Sequence, residues 1–92
     1  MNMTDLGELR ERINGLNEEI VELLAKRAEV AKSIGETKRS LGLPVVDWTR
    51  ETVVYEQVRA LALRHDLNEN DVERVFQDIV NLCTNAQLEG GR

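Results

Sequence analysis

The sequence predicts an all-α protein, a three-helix chain whose first helix is too long for a monomer to cover. Three observations carry that expectation. Apolar residues recur at steps of three and four through most of the chain, the mark of one helical face. The composition, 41% hydrophobic and 32% charged, favours residues such as Glu, Leu, Arg, Lys and Ala that suit helix better than sheet. A single Pro interrupts the 92 residues, and the breaks between periodic stretches are short.

The first helix starts where Thr4 or Asp5 can cap it and stops at Gly42 followed by Pro44. Its seam is Leu6, Leu9, Ile13, Leu16, Ile20, Leu23, Val30, Ile34 and Leu41, interrupted by Arg27 and Thr37. A helix over about 5–41, roughly 36 residues, is about 54 Å long at the standard rise. A compact chain of this size has a radius of gyration of about 12 Å and a diameter near 30 Å. One end of the helix should therefore protrude with its seam bare, and a partner must cover it. Size points the same way, because a chain this short is near the lower limit for a self-sufficient core.

The second helix is expected over 48–64. Gly42 to Val46 reads as a short loop, Asp47 as its cap, and Glu51, Val54, Val58 and Leu61 as its inner line. His65 at its C-terminal end is read as a solvent-exposed residue favourable to the helix dipole and is assigned no function. The third helix is expected over 69–88, with Asn68 and Asp71 forming a weak capping arrangement and Val72, Phe76, Ile79 with Val80, Cys83 and Gln87 facing inward. The tail from Glu89 should fray. Residues 1–92 read as one helical domain without internal repeats.

Several classes of function are disfavoured. A formal net charge of −5, with one Trp, one Tyr and one Phe, argues against nucleic acid, which calls for basic stripes and stacking aromatics. One Cys and one His cannot supply a metal site or an intrachain disulfide, so no metal is expected and a reducing setting is. Met1 to Leu9 holds no secretory signal, and no run approaches the ~20 apolar residues needed to cross a bilayer. The expected location is the cytoplasm, with no membrane partner.

The informative residues are polar ones on apolar stripes: Arg27 on the seam, Lys38 four residues after Ile34, Glu51 leading the second stripe, and Gln87 ending the third. Singly each has a structural account, since an Arg at a seam position sets register and a Lys at a stripe edge snorkels. Together they suggest a bound anion, because an unpaired buried cation costs several kcal/mol. Arg27 and Lys38 are about 16 Å apart along one face, close enough for their long side chains to converge on one small molecule. Arg10 stands about 25 Å from Arg27 along the same rod, so if it takes part it serves a neighbour's pocket. No Ser/His/Asp set, Cys/His pair or Gly-rich phosphate loop is visible. An enzyme built from these residues would work by orientation and electrostatic stabilisation.

The sequence resembles the small all-helical chorismate mutases, the AroQ class, from about Leu6 to Gln87. The resemblance is carried by Leu9-Arg10 with Ile13, Leu24-Ala-Lys-Arg27, Ile34-Gly-Glu-Thr-Lys38, Pro44-Val-Val-Asp47 continuing to Arg50-Glu51, and Phe76-Gln77-Asp78-Ile79 with Gln87. It implies an intertwined homodimer with two active sites that rearranges chorismate to prephenate without a cofactor. It also implies that Arg27 and the partner's Arg10 grip the two substrate carboxylates, supported by Arg50. Lys38 would bridge a carboxylate and the ether oxygen, Gln87 would donate to the same oxygen, and Glu51 with the backbone near Asp47 would hold the ring hydroxyl. Cys83 falls at a binding position where some relatives carry a small polar residue, and it also suits a small place in the core.

Three rival readings accompany this one. An isochorismate pyruvate lyase shares the fold and the cationic clamp but, in that group, places an apolar residue where Glu51 stands. A helical dimerisation module needs only the seam. A regulatory or fused-enzyme module would have been separated from a further catalytic domain.

Overall fold

The computed structural model describes residues 5–89, and among them the chain forms three helices and no strand: α1 Leu6–Ser40, α2 Trp48–Arg64 and α3 Glu69–Glu89. Glu89, expected in the frayed tail, is still helical; the rest of that tail and the alternative cap Thr4 lie outside the described residues.

Local chemistry sets each boundary. Asp5, in extended conformation, accepts from the Gly7 N–H at 2.6 Å, satisfying one of the orphan donors that begin α1. At the other end the Leu43 N–H reaches the Lys38 carbonyl at 2.8 Å and the Gly42 N–H reaches that of Arg39 at 3.1 Å. This is the double reverse bond of a Schellman cap, and it needs the left-handed backbone that Gly42 adopts at φ 71°. Helix α2 opens on Asp47, whose Oδ1 accepts from the Arg50 N–H at 3.0 Å. It closes with the same reverse pattern, Leu67 to Ala62 at 2.9 Å and Asp66 to Leu63 at 3.3 Å. Here Asp66 takes the left-handed position at φ 57°, which Asp tolerates better than most side chains. Asn68 caps α3 by accepting from the Asp71 N–H at 3.0 Å, while the Asp71 carboxylate turns to Arg74.

Helix α3 packs against both α1 and α2. The buried residues at these contacts are small or of moderate size: Ala31 and Gly35 from α1, Val58 and Ala62 from α2, Val80, Cys83 and Ala86 from α3. Two details differ from the sequence stripes. Leu61, expected inside, is 45% exposed while Ala62 beside it is 2% exposed, because the inner line of α2 steps by four from Val58 rather than by three. Ala86 adds a buried position between Cys83 and Gln87. Arg59 ties α2 to α3 through Asn70 at 3.0 Å and Glu73 at 3.1 Å.

The other half of α1 touches nothing. From residue 6 to residue 23 every position is exposed, and the seam residues Leu6, Leu9, Ile13, Leu16, Ile20 and Leu23 lie between 43% and 63% exposed. The radius of gyration is 17.0 Å and the long dimension 63 Å, against about 12 Å for a compact chain of this length. Covering what remains bare of each large seam residue would gain about 1 kcal/mol.

Candidate active site

Where the covered half of α1 meets α3 and the start of α2, the three helices enclose a cavity of about 280 Å³, at the small end of ligand pockets. Its walls include Arg27 and Lys38 from α1, Asp47 at the cap of α2, Arg50 and Glu51 in the first turn of α2, and Cys83 and Gln87 from α3. Arg10 is not in the wall; it is exposed on the bare half of α1. Val30, Ala31, Ile34, Val45, Val54, Val80 and Thr84 complete the lining; the sequence placed Val30, Ile34, Val54 and Val80 on apolar stripes but marked none of the seven as site residues, because wall residues on a stripe look like ordinary core.

The short loop brings Lys38 and the α2 residues together. Pro44 and the Schellman turn send the chain back so that Val45 faces Lys38, whose Nζ donates to the Val45 carbonyl at 2.8 Å. Further back on α1, Arg27 donates from Nη1 to the Sγ of Cys83 on α3 at 2.9 Å. The thiol thus occupies one of the five guanidinium donors and leaves the others available.

Among the described residues no carboxylate lies within ion-pairing distance of Arg27, Lys38 or Arg50. Three cations line one cavity while the chain as a whole carries −5. Glu51 and Asp47 share the cavity without neutralising them. The Asp47 carboxylate is engaged in capping α2. Glu51 lies close enough to Tyr55 to help raise its pKa above the usual 10.0, after desolvation by burial and ahead of Glu73. The Gln87 side chain is held differently from the cations. Its Oε1 is buried without a hydrogen-bond partner, and its backbone carbonyl accepts from Arg39 Nη1 at 2.9 Å. Unpaired groups of this kind are rare in proteins and call for an explanation.

Fold and site together define a class: an all-helical chain with a small cationic pocket suited to a compact organic dianion. The pocket is lined by the cations Arg27, Lys38 and Arg50 together with Gln87, and no Ser or His stands in its wall. The family model for chorismate mutase type II matches residues 9–88, and the chain belongs to that family, whose members are isomerases. It is 35% identical over 75 residues to the chorismate mutase of Methanocaldococcus jannaschii, covering 82% of this chain and 76% of that protein. It is 37% identical over 76 residues to the bifunctional chorismate mutase/prephenate dehydratase of Buchnera aphidicola, spanning 83% of this chain but only 20% of that longer protein. The solved structure of monomeric chorismate mutase from Methanococcus jannaschii superposes with a TM-score of 0.69 at 28% identity, over 97% of this chain and 93% of that one. Among the described residues no helix is long and apolar enough to cross a membrane.

Proposed function

We propose that this chain is a cytoplasmic chorismate mutase of aromatic amino acid biosynthesis. It rearranges chorismate to prephenate as one helical domain in an intertwined homodimer, and each pocket is completed by Arg10 of the other copy. The observation that carries the proposal is the convergence of Arg27, Lys38, Arg50 and Gln87 on one small cavity, where neither Asp47 nor Glu51 forms an ion pair with the three cations.

In this reading Arg27 and the partner's Arg10 clamp the two substrate carboxylates, with Arg50 supporting the ring carboxylate. The clamp holds the enolpyruvyl arm folded over the ring, removing an entropic barrier. As the ether C–O bond lengthens and the new C–C bond forms, negative charge gathers on the ether oxygen. Lys38 and the Gln87 amide donate to that oxygen, and such preset donors are usually the largest catalytic term. Glu51 and the backbone near Asp47 receive the ring hydroxyl, and Cys83 lies at the floor beneath Arg27. No proton is transferred and no cofactor enters the step.

The bare seam fits the partner's role. For Arg10 of an antiparallel second copy to reach the space between Arg27 and Lys38, the two-fold axis must cross α1 near Ile20 to Leu23. That is the middle of the seam from Leu6 to Leu41, and both residues are exposed in the single chain.

The test is conversion of chorismate to prephenate by purified protein with no added metal or nucleotide, with Lys38→Ala as the control. Activity lost in the control is the expected result. A folded dimer inert toward chorismate would overturn the proposal in favour of a dimerisation module. Pyruvate released from isochorismate, with no prephenate formed, would indicate the lyase.

A further inference from the structure

Gln87 has no anchor in its own side chain, so something else must set where its amide points. The Oε1 is without a partner, and α3 ends two residues later at Glu89, where helix carbonyls lack internal partners and the chain tends to fray. Helix α3 also carries no basic residue in its last turn to offset the negative end of its dipole. A donor group held on the last turn of a helix is poorly placed for a reaction that needs it aligned unless that turn is fixed from outside.

Two residues of α1 supply what α3 lacks. Gly35 is buried, and a Cβ there would stand 3.0 Å from the Gln87 Cβ, 3.2 Å from its Cα and 3.3 Å from its Cγ. The two helices therefore meet at van der Waals distance with no room for a methyl group. Gly in a helix interior costs about 0.5–1 kcal/mol relative to Ala, a cost this close approach explains. Gly15, on the bare half of the same helix, has nothing within 4 Å. One turn on from Gly35, Arg39 donates from Nη1 to the Gln87 backbone carbonyl at 2.9 Å. It gives the last turn of α3 both a hydrogen-bond partner and a cation. Residues four apart lie on one helical face, so Gly35 and Arg39 grip a single residue from one side.

We propose that Gly35 and Arg39 are positioning residues for Gln87: the first fixes how closely its backbone approaches α1, the second fixes the orientation of its peptide. Neither touches substrate. The proposal rests on the reading of Gln87 as a donor to the reacting oxygen and deepens it.

The test is steady-state kinetics of the full chain carrying Gly35→Ala, Arg39→Ala or Arg39→Lys, each made in the natural background and in Gln87→Ala. In the natural background Gly35→Ala lowers kcat by about 10- to 100-fold, the scale of an ångström-sized misplacement. Arg39→Ala, on an exposed side chain that leaves the fold intact, lowers it by roughly 3- to 10-fold with KM changed less than about twofold, and Arg39→Lys recovers most of the loss. In the Gln87→Ala background each substitution costs less than about twofold, because the group being positioned is gone. Hydrogen exchange of the amides of residues 86–89 is faster in Arg39→Ala than in the natural chain. Undiminished losses in the Gln87→Ala background, or losses confined to KM, mark a general structural role and overturn the proposal. Full kcat in Gln87→Ala alone shows that the reading of Gln87 has failed and takes the proposal with it. A slow Gln87→Ala beside fast Gly35 and Arg39 variants overturns only the positioning roles.

Discussion

The two halves of α1 follow one apolar rhythm, and only one of them is met by another helix of the chain. Beyond Arg27 the helix meets α3 through Ala31 and Gly35, small residues that let the backbones close. Before Arg27 it carries Leu6, Leu9, Ile13, Leu16, Ile20 and Leu23 on a face no part of the same chain reaches. Contacts within the chain are made by small side chains at short range, while the large seam residues stay exposed on both sides of Arg27, Val30 at 61% and Ile34 at 45% beyond it. Large aliphatics line one face of the bare half, and the charged residue at the boundary, Arg27, lines the cavity where the two regimes meet.

The largest effect expected is at the covered half: Lys38→Ala should lower kcat/KM by about 10³-fold, while Arg50→Ala costs about tenfold, as read in chorismate turnover. Next, Leu16→Asp on the bare half should shift the protein to a single subunit in sedimentation and reduce activity by about 10²-fold, since no Arg10 then arrives. A monomeric Leu16→Asp protein with full activity would dissolve the contrast between the halves. Mixing Arg10→Ala with Arg27→Ala, each nearly inactive alone, should restore up to about a quarter of natural activity once subunits exchange, because half of the dimers then hold one intact site. Ala31→Leu, by contrast, overfills the α1–α3 contact and should cost about 1–3 kcal/mol of stability in denaturant unfolding.

The smallest effect concerns a neighbour of Glu51 on α2. Tyr55, the only tyrosine, titrates above its usual 10.0 through desolvation first and the Glu51 and Glu73 charges after it. Its neutral form thus stabilises the fold below the ordinary value, and that contribution is lost as pH rises through the elevated one. Glu51→Gln should bring the phenol part of the way down, seen in an absorbance titration, with the desolvation component left in place.

Much of this arrangement was legible in the sequence because helix is local. The seam steps, Asp47 and the Gly42–Pro44 stop write the helix boundaries in residues adjacent to them. The pocket positions were legible where a polar residue broke an apolar stripe, as at Arg27, Lys38, Glu51 and Gln87. Leu61 misled because a stripe shows which face is apolar but not which of two neighbouring residues faces a particular helix. Gly35 and Arg39 were passed over for a related reason: their partner is Gln87, some fifty residues away, and spacing along one helix carries no information about another. Even so, Gly in mid-helix among strong helix formers was a signal of close approach.

The bond from Lys38 to the Val45 carbonyl reaches beyond the cavity. An ammonium group has three hydrogens, and one of them is committed to the connector between the first two helices. The segment from Gly42 to Asp47 is therefore a strut on which the charge is hung, and under the proposed function its length bears on the chemistry. If Lys38 acts as proposed, adding or removing a residue there should lower the rate even with the three helices retained, so surface-loop tolerance ends where a connector holds a working side chain by its backbone.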